Sequence, residues 1–212
     1  MDEAPLQVQH SVVTKGSFVM NLRYLSAIAM GVFGTGIVVA LPAQAAVTVI
    51  GSGLAQSCYQ AAEFNTNAQG GVDTCTMALE HQALTQEDRA STLVNRGILR
   101  ARTSDSDGAL LDYNAALKMN PNLAEAYVDR GANYIKMKHC QSALDDLNKG
   151  LGLGANEPHI AYYDRAIAHE CVGDIRGAYE DYKKAISLEP DFTLAAEQLR
   201  RFKVVRKSTD GT

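Results

Sequence analysis

Asn95-Arg96-Gly97, Asp129-Arg130-Gly131 and Asp164-Arg165-Ala166 are near-copies of one short phrase, and the residues downstream of each copy decide the fold. Twelve residues after the glycine or alanine stands a small residue: Ala109, Ala143 or Ala178. Four further on is a bulky one (Tyr113, Leu147, Tyr182), and three beyond that another small one (Ala116, Gly150, Ala185). A proline closes the first and third copies five positions later, at Pro121 and Pro190. Aligned positions are 34 and then 35 residues apart.

The spacing assigns each position a physical task. Ala109, Tyr113 and Ala116 are related by i, i+4 and i+7, so they share one helix face. A small residue in the helix before lets the pair approach, and the bulky one fills the hairpin. The second small residue is expected to leave room for the next unit. Proline ends the helix because it lacks an N–H and clashes with the preceding turn. A helix–turn–helix unit of this length resembles the tetratricopeptide repeat (TPR). The resemblance implies an all-α helical-hairpin solenoid, in which each hairpin buries its apolar stripe against its neighbour.

Composition agrees. The chain has 212 residues, 46% hydrophobic and 21% charged, which suits one ordinary globular domain plus accessory sequence. A formal charge of −4 gives no electrostatic case for gripping nucleic-acid phosphates. Five prolines and no long Ser/Gly tract argue against extensive low-complexity sequence.

The amino-terminal region reads as an address. Leu25 to Leu41 is apolar or small apart from Ser26 and Thr35, with Arg23 before it and Leu41-Pro42-Ala43-Gln44-Ala45-Ala46 after it. Ala43 and Ala45 supply the small residues of a signal-peptidase site, so cleavage is expected after Ala45. Met20-Asn21-Leu22-Arg23 makes the better signal-peptide start, and translation is expected to begin at Met20 rather than Met1. The rival reading is an uncleaved anchor, because a largely apolar run of 17 residues borders on the length that spans a bilayer.

The chain divides into six regions. Residues 1–45 form the targeting region and 46–54 an irregular lead-in. Residues 55–85 are a degenerate helical hairpin that caps the array, with helices from Ala55 to Asn67 and Val72 to Leu84. The three recognisable repeats occupy 90–192, as 90–123, 124–158 and 159–192. A capping helix over 192–204 covers the last apolar face through Phe192, Leu194, Ala195, Leu199 and Phe202, and 205–212 is a disordered tail. The middle repeat departs from the pattern, with Ala155 where proline would stand.

Four cysteines, Cys58, Cys75, Cys140 and Cys171, all lie beyond the targeting region and admit three pairings. In a TPR stack, Cys140 at the entry to one helix faces Cys171 near the end of the next, and Cys58 and Cys75 face each other across the first hairpin. The expected disulfides are therefore Cys58–Cys75 and Cys140–Cys171, bonds that suit a periplasmic or extracellular compartment. No Cys-x-x-Cys, HExxH or zinc-finger spacing occurs, so neither metal nor cofactor is expected. Asp105-Ser106-Asp107-Gly108 has only a fragment of a calcium loop and reads as a turn. The basic cluster Arg200, Arg201, Lys203, Arg206 and Lys207 complements the end of the last helix.

The TPR resemblance further implies protein or peptide binding in a concave groove lined by the first helix of each unit. Matched position by position, the groove residues are Val94, Asn95 and Ile98, then Val128 and Asp129, then Ile160, Tyr163, Asp164 and Ile167. In the family, an Asn or Asp in the slot of Asn95, Asp129 and Asp164 commonly hydrogen-bonds the backbone of an extended ligand; the alternative is that each is satisfied within the fold. Val94 and Ile98 stand where a clamp for carboxyl-terminal EEVD tails needs Lys and Asn, and the aspartates would repel such a tail. No GxSxG, P-loop, kinase or dinucleotide fingerprint is present after the targeting region. The sequence thus points to a non-enzymatic scaffold, exported to the periplasm or beyond, that binds a cell-envelope protein or peptide and not nucleic acid. Two alternatives stay open: a membrane-tethered assembly factor and a thiol-dependent enzyme.

Overall fold

The computed structural model describes residues 6–10, 46, 53–64 and 67–206. Its helices are α1 (Leu54–Glu63), α2 (Ala68–His81), α3 (Gln86–Arg102), α4 (Ser106–Met119), α5 (Ala124–Lys136), α6 (Cys140–Gly152), α7 (Pro158–Val172), α8 (Ile175–Leu188) and α9 (Thr193–Leu199). Two short strands, β1 (Leu6–His10) and β2 (Phe202–Arg206), pair antiparallel from Leu6 opposite Arg206 to His10 opposite Phe202. Apart from β1, the targeting region lies outside the described residues, and with it the apolar run, the Met20 start and the cut after Ala45. So do most of the lead-in and residues 207–212 of the expected tail.

Successive helices pack as hairpins, α1 with α2, α3 with α4, α5 with α6 and α7 with α8. Each hairpin stacks on the next through α2–α3, α4–α5 and α6–α7, and α9 covers α8. The first helices α3, α5 and α7 also touch one another, which makes them the inner layer. This is the all-α hairpin solenoid that the repeat implies, with the β1–β2 ribbon added at its end.

The repeated residues do their assigned work. Tyr113, Leu147 and Tyr182 are buried, each in its own hairpin, together with Ala109, Ala143 and Ala178. Burial of each large side chain is worth about 1.5–3 kcal/mol. A Cβ built on Gly97 would lie 2.6 Å from the Tyr113 ring, and one on Gly131 would lie 2.8 Å from Leu147 Cγ. Gly150, the small residue three positions after Leu147, has a different role from the one expected. A Cβ on Gly150 would meet Val128 Cγ2 at 2.7 Å and the Ala124 carbonyl oxygen at 3.1 Å, both in α5. Gly150 therefore closes its own hairpin rather than making room for the neighbouring unit.

Helix ends obey local chemistry. Asp105 and Asp174 accept the N–H of Gly108 (3.0 Å) and Gly177 (2.9 Å), capping α4 and α8. The Asp105 turn is thus a helix cap. α4 and α8 stop just before Pro121 and Pro190. In the middle repeat the Ala155 N–H donates to the Gly150 carbonyl (3.2 Å), a bond proline could not make. Gly154 before it has φ +83°, and Pro158 opens α7.

Several boundaries differ from the sequence reading: α1 ends at Glu63, short of Asn67, which caps α2, and α2 ends at His81, short of Leu84. The first repeat begins at Gln86, before residue 90, because the Thr85 hydroxyl caps α3 by accepting the Asp88 N–H (3.0 Å). α2 begins at Ala68 instead of Val72, because the Asn67 side chain accepts the Gly70 N–H (3.2 Å) and makes Ala68–Gly71 a helical turn. The capping helix stops at Leu199, short of Val204, and β2 takes Val205 and Arg206 from the expected tail. The β-branched pair Val204-Val205 beside Phe202 favours an extended chain. The Phe202 ring packs against Tyr182 at 5.8 Å and Tyr179 at 5.9 Å, anchoring that switch. The apolar cover itself forms as expected, with Phe192, Leu194, Leu199 and Phe202 around buried Ala195.

Candidate functional site

The inner layer places one polar slot on each first helix: Asn95 on α3, Asp129 on α5 and Asp164 on α7. All three are buried, at 0%, 2% and 4% exposure. Around them, Val94 and Ile98 are fully buried in the first unit's core and offer a ligand no surface as placed. Val128, Ile160 and Tyr163 are nearly buried, and Ile167 is half-buried. Tyr163 is fixed edge-on against Phe192 at 5.3 Å and tilted against Tyr182 at 5.7 Å. Of the nine groove residues read from sequence, Ile167 therefore presents the most surface.

The two acids are electrostatically unusual. Burial pushes the Asp129 carboxyl well above the ordinary carboxylate range, reinforced by the negative charge of Asp164 and opposed by Arg102. Burial also pushes Asp164 up, to about 7, against the pull of Lys136. Neither acid makes an ion pair among the described residues, and Asp129 Oδ2 is buried with no hydrogen-bond donor. A buried unsatisfied polar group costs about 1–3 kcal/mol.

Nearby cations are occupied elsewhere. Arg102 donates to the Ala62 carbonyl, and Lys136 Nζ donates to the Ala101 carbonyl at 3.2 Å. Arg201 pairs with Glu170, which also accepts the Tyr182 hydroxyl at 2.6 Å. Arg201 thus leaves the basic cluster to tie the carboxyl-terminal end to α7.

The arginines next to the polar slot behave differently, and their partners were missed in the sequence. Each arginine grips an aspartate sixteen residues on through two bonds: Arg96–Asp112 (2.9 and 2.7 Å), Arg130–Asp146 (2.7 and 2.8 Å) and Arg165–Asp181 (2.7 and 2.8 Å). The remaining guanidinium N–H reaches back one unit, to Thr76 (3.1 Å), Asn114 (2.6 Å) and Asn148 (2.7 Å). Tyr127 and Tyr162 lie against Arg130 and Arg165, 5.5 and 5.0 Å from ring centre to guanidinium. These arginines hold each hairpin together and join it to the one before. A signal was present: aspartate directly precedes each bulky hairpin residue, as Asp112-Tyr113, Asp146-Leu147 and Asp181-Tyr182.

Both cysteine pairs stand within bonding distance in the expected pairing. Cys58 and Cys75 have Cα atoms 4.8 Å apart, and Cys140 and Cys171 have theirs 6.0 Å apart. The first pair is fully buried between α1 and α2. The second joins the start of α6, which has no side-chain cap, to the exposed end of α7. Among the described residues, no group of three or more His, Cys, Asp or Glu could hold a metal ion.

No family model matches the chain. Among curated proteins, mouse Sperm-associated antigen 1 is 28% identical over 159 residues, covering 68% of this chain and 17% of that protein. Rat Serine/threonine-protein phosphatase 5 is 28% identical over 91 residues, covering 42% and 18%. The chain thus spans less than a fifth of these relatives' length. Among solved structures, the crystal structure of MamA superposes with a TM-score of 0.58 at 20% identity, over 71% of this chain and 82% of that one. YrrB, described as a TPR protein with an unusual peptide-binding site, gives 0.56 at 19% over 69% and 74%. The first TPR of Spaghetti (RPAP3), solved with the HSP90 peptide SRMEEVD, gives 0.52 at 23% over 54% and 90%. These likenesses establish the fold.

Proposed function

Taking this chain as a tetratricopeptide-repeat solenoid, we propose that it is a non-enzymatic scaffold that holds a protein or peptide segment along the inner layer of α3, α5 and α7. The observation that carries the reading is the polar slot Asn95, Asp129 and Asp164, repeated at one register on adjacent helices with an unsatisfied oxygen on Asp129. The outer arginines and aspartates pair with one another, whereas the inner acids Asp129 and Asp164 have no such partner among the described residues. Two similar solenoids support the idea: one was solved with a peptide and another is described by its peptide-binding site. The acidic slot argues against an SRMEEVD-like tail as the ligand, since like charges would be brought together without compensation.

We place the scaffold in the bacterial envelope, as a periplasmic or secreted protein whose partner is an envelope protein or peptide. Support comes from the leader pattern ending at Ala45 and from two cysteine pairs suited to an oxidising compartment. Cleavage there would also remove β1, so the mature chain would present β2 without that partner. The alternative is a membrane-tethered factor with Leu25–Leu41 retained. No helix among the described residues is long and apolar enough to cross a membrane, and that run lies outside them.

A photo-crosslinking residue at half-buried Ile167, in cells expressing the full chain, tests the binding role. An adduct at Ile167 that is missing at outer-layer Leu111, which is 70% exposed, is expected. Equal adducts at both sites, or none at Ile167, would overturn it. A mature amino terminus at Ala46 supports export, while an intact Leu25–Leu41 run at the membrane supports the tether.

A further inference from the structure

We infer that the inner layer is built to receive a segment carrying a lysine or arginine side chain among apolar residues, with Asp129 and Asp164 as its counter-charges. This rests on the peptide-binding reading and specifies the chemistry of the guest.

The argument begins with how this chain treats charge elsewhere. Arg96, Arg130 and Arg165 each grip one aspartate through two hydrogen bonds, and Asp112 also accepts from Arg100. Where stability is the purpose, acid and base arrive in register. Asp129 and Asp164 are just as regularly placed, one per inner helix, yet they lack an ion-pair partner among the described residues and Asp129 Oδ2 lacks any donor. The two cations that feel them, Arg102 and Lys136, are bonded to backbone carbonyls instead. Glu125 and Glu157 add further negative charge around Asp129. Burying uncompensated acids disfavours the folded state unless something supplies the missing charge.

Geometry narrows the guest. Both acids are nine-tenths buried below half-buried rim residues such as Ile167. A compact ion held only by these carboxylates lacks a third ligand, since no cluster of three exists among the described residues. A long, slender aliphatic stem with its charge at the tip reaches past such a rim while laying its methylenes against Ile167. Lysine and arginine have that shape.

Protonation must couple to binding. The charged or titratable groups about the acids are Arg102 on α3, Tyr113 on α4, Glu125 and Lys136 on α5, Glu157 before α7, Tyr163 on α7, and each acid itself. An entering cation favours the ionised acid, so the complex releases protons near neutrality and tightens as pH rises through the Asp164 transition.

The test uses the full-length chain and three labelled apolar peptides that differ at one central residue, Lys, Gln or Glu, read by fluorescence anisotropy at low salt. The Lys peptide should bind at least about tenfold tighter than the Gln peptide at about pH 8, with the Glu peptide weakest. The Lys-over-Gln preference should shrink at about pH 5.5. Asp129→Asn and Asp164→Asn should each collapse that Lys-over-Gln ratio. Proton release on binding to the unmodified chain, from calorimetry in buffers of different ionisation heat, checks the same coupling if a variant folds poorly. Equal Lys and Gln affinities, or tighter Glu binding, would overturn the inference while sparing the binding role. Failure of all three peptides to bind would count against the binding role itself.

Discussion

Replacing Asp164 with asparagine perturbs the acid whose environment is best defined, and the effect on stability can be worked out. The Asp164 carboxyl is raised from an ordinary value of 3.8 to about 7, chiefly by burial and against Lys136. The folded state therefore keeps this proton to higher pH than the unfolded chain does. Stability is unaffected below the unfolded value, declines as pH rises between the two, and levels off above the folded value. Each pKa unit corresponds to about 1.4 kcal/mol, so the full decline attributable to this group is roughly 4 kcal/mol. Asparagine has nearly the same shape and no charge to desolvate. In urea unfolding the variant should match the parent near about pH 4 and exceed it by roughly 2–4 kcal/mol near about pH 8. Some slope will persist because Asp129 is also raised, but less steeply, since Asp164 is the second-largest cause of that rise. Parallel pH curves for the two proteins would refute the reasoning, because they would mean Asp164 ionises as freely when folded as when unfolded.

Other consequences can be checked directly. Asp146→Ala leaves Arg130 partly buried and without its two-bond partner, and should lower stability by about 3 kcal/mol in chemical denaturation; Arg130→Met together with Asp146→Leu should recover most of it. Gly131→Ala forces a Cβ to within 2.8 Å of Leu147 and should destabilise by about 1–3 kcal/mol, a loss that Leu147→Ala added to it does not simply sum with in a double-mutant cycle. Under mild reductant, mass spectrometry of alkylated chains should find Cys140 and Cys171 labelled first, because Cys171 is exposed whereas Cys58 and Cys75 are fully buried.

The spacing of Gly97, Tyr113 and their repeats predicts the hairpins because packing between two adjacent helices is a local matter of small against large. The cysteine pairing is legible for a related reason, since stacking brings the start of one helix to the end of the next. The arginine–aspartate ladder was written as plainly, sixteen residues apart, yet charged residues on a helix read equally well as a solvated face. Val94 and Ile98 were expected to line a groove and are wholly buried. Helical register indicates a direction and says nothing of how much protein stands there.

By itself, then, the sequence determined the repeat length, the residues that fill each hairpin, the two cysteine pairs and the absence of a familiar catalytic signature. Tertiary structure alone decided where the last helix ends, which charges are satisfied, and that Asp129 and Asp164 sit buried without an ion-pair partner among the described residues. The physical reason is range. Side-chain volume and helix spacing act between neighbours in the chain, whereas burial, and the cost of holding a charge away from water, depend on every element that closes around it.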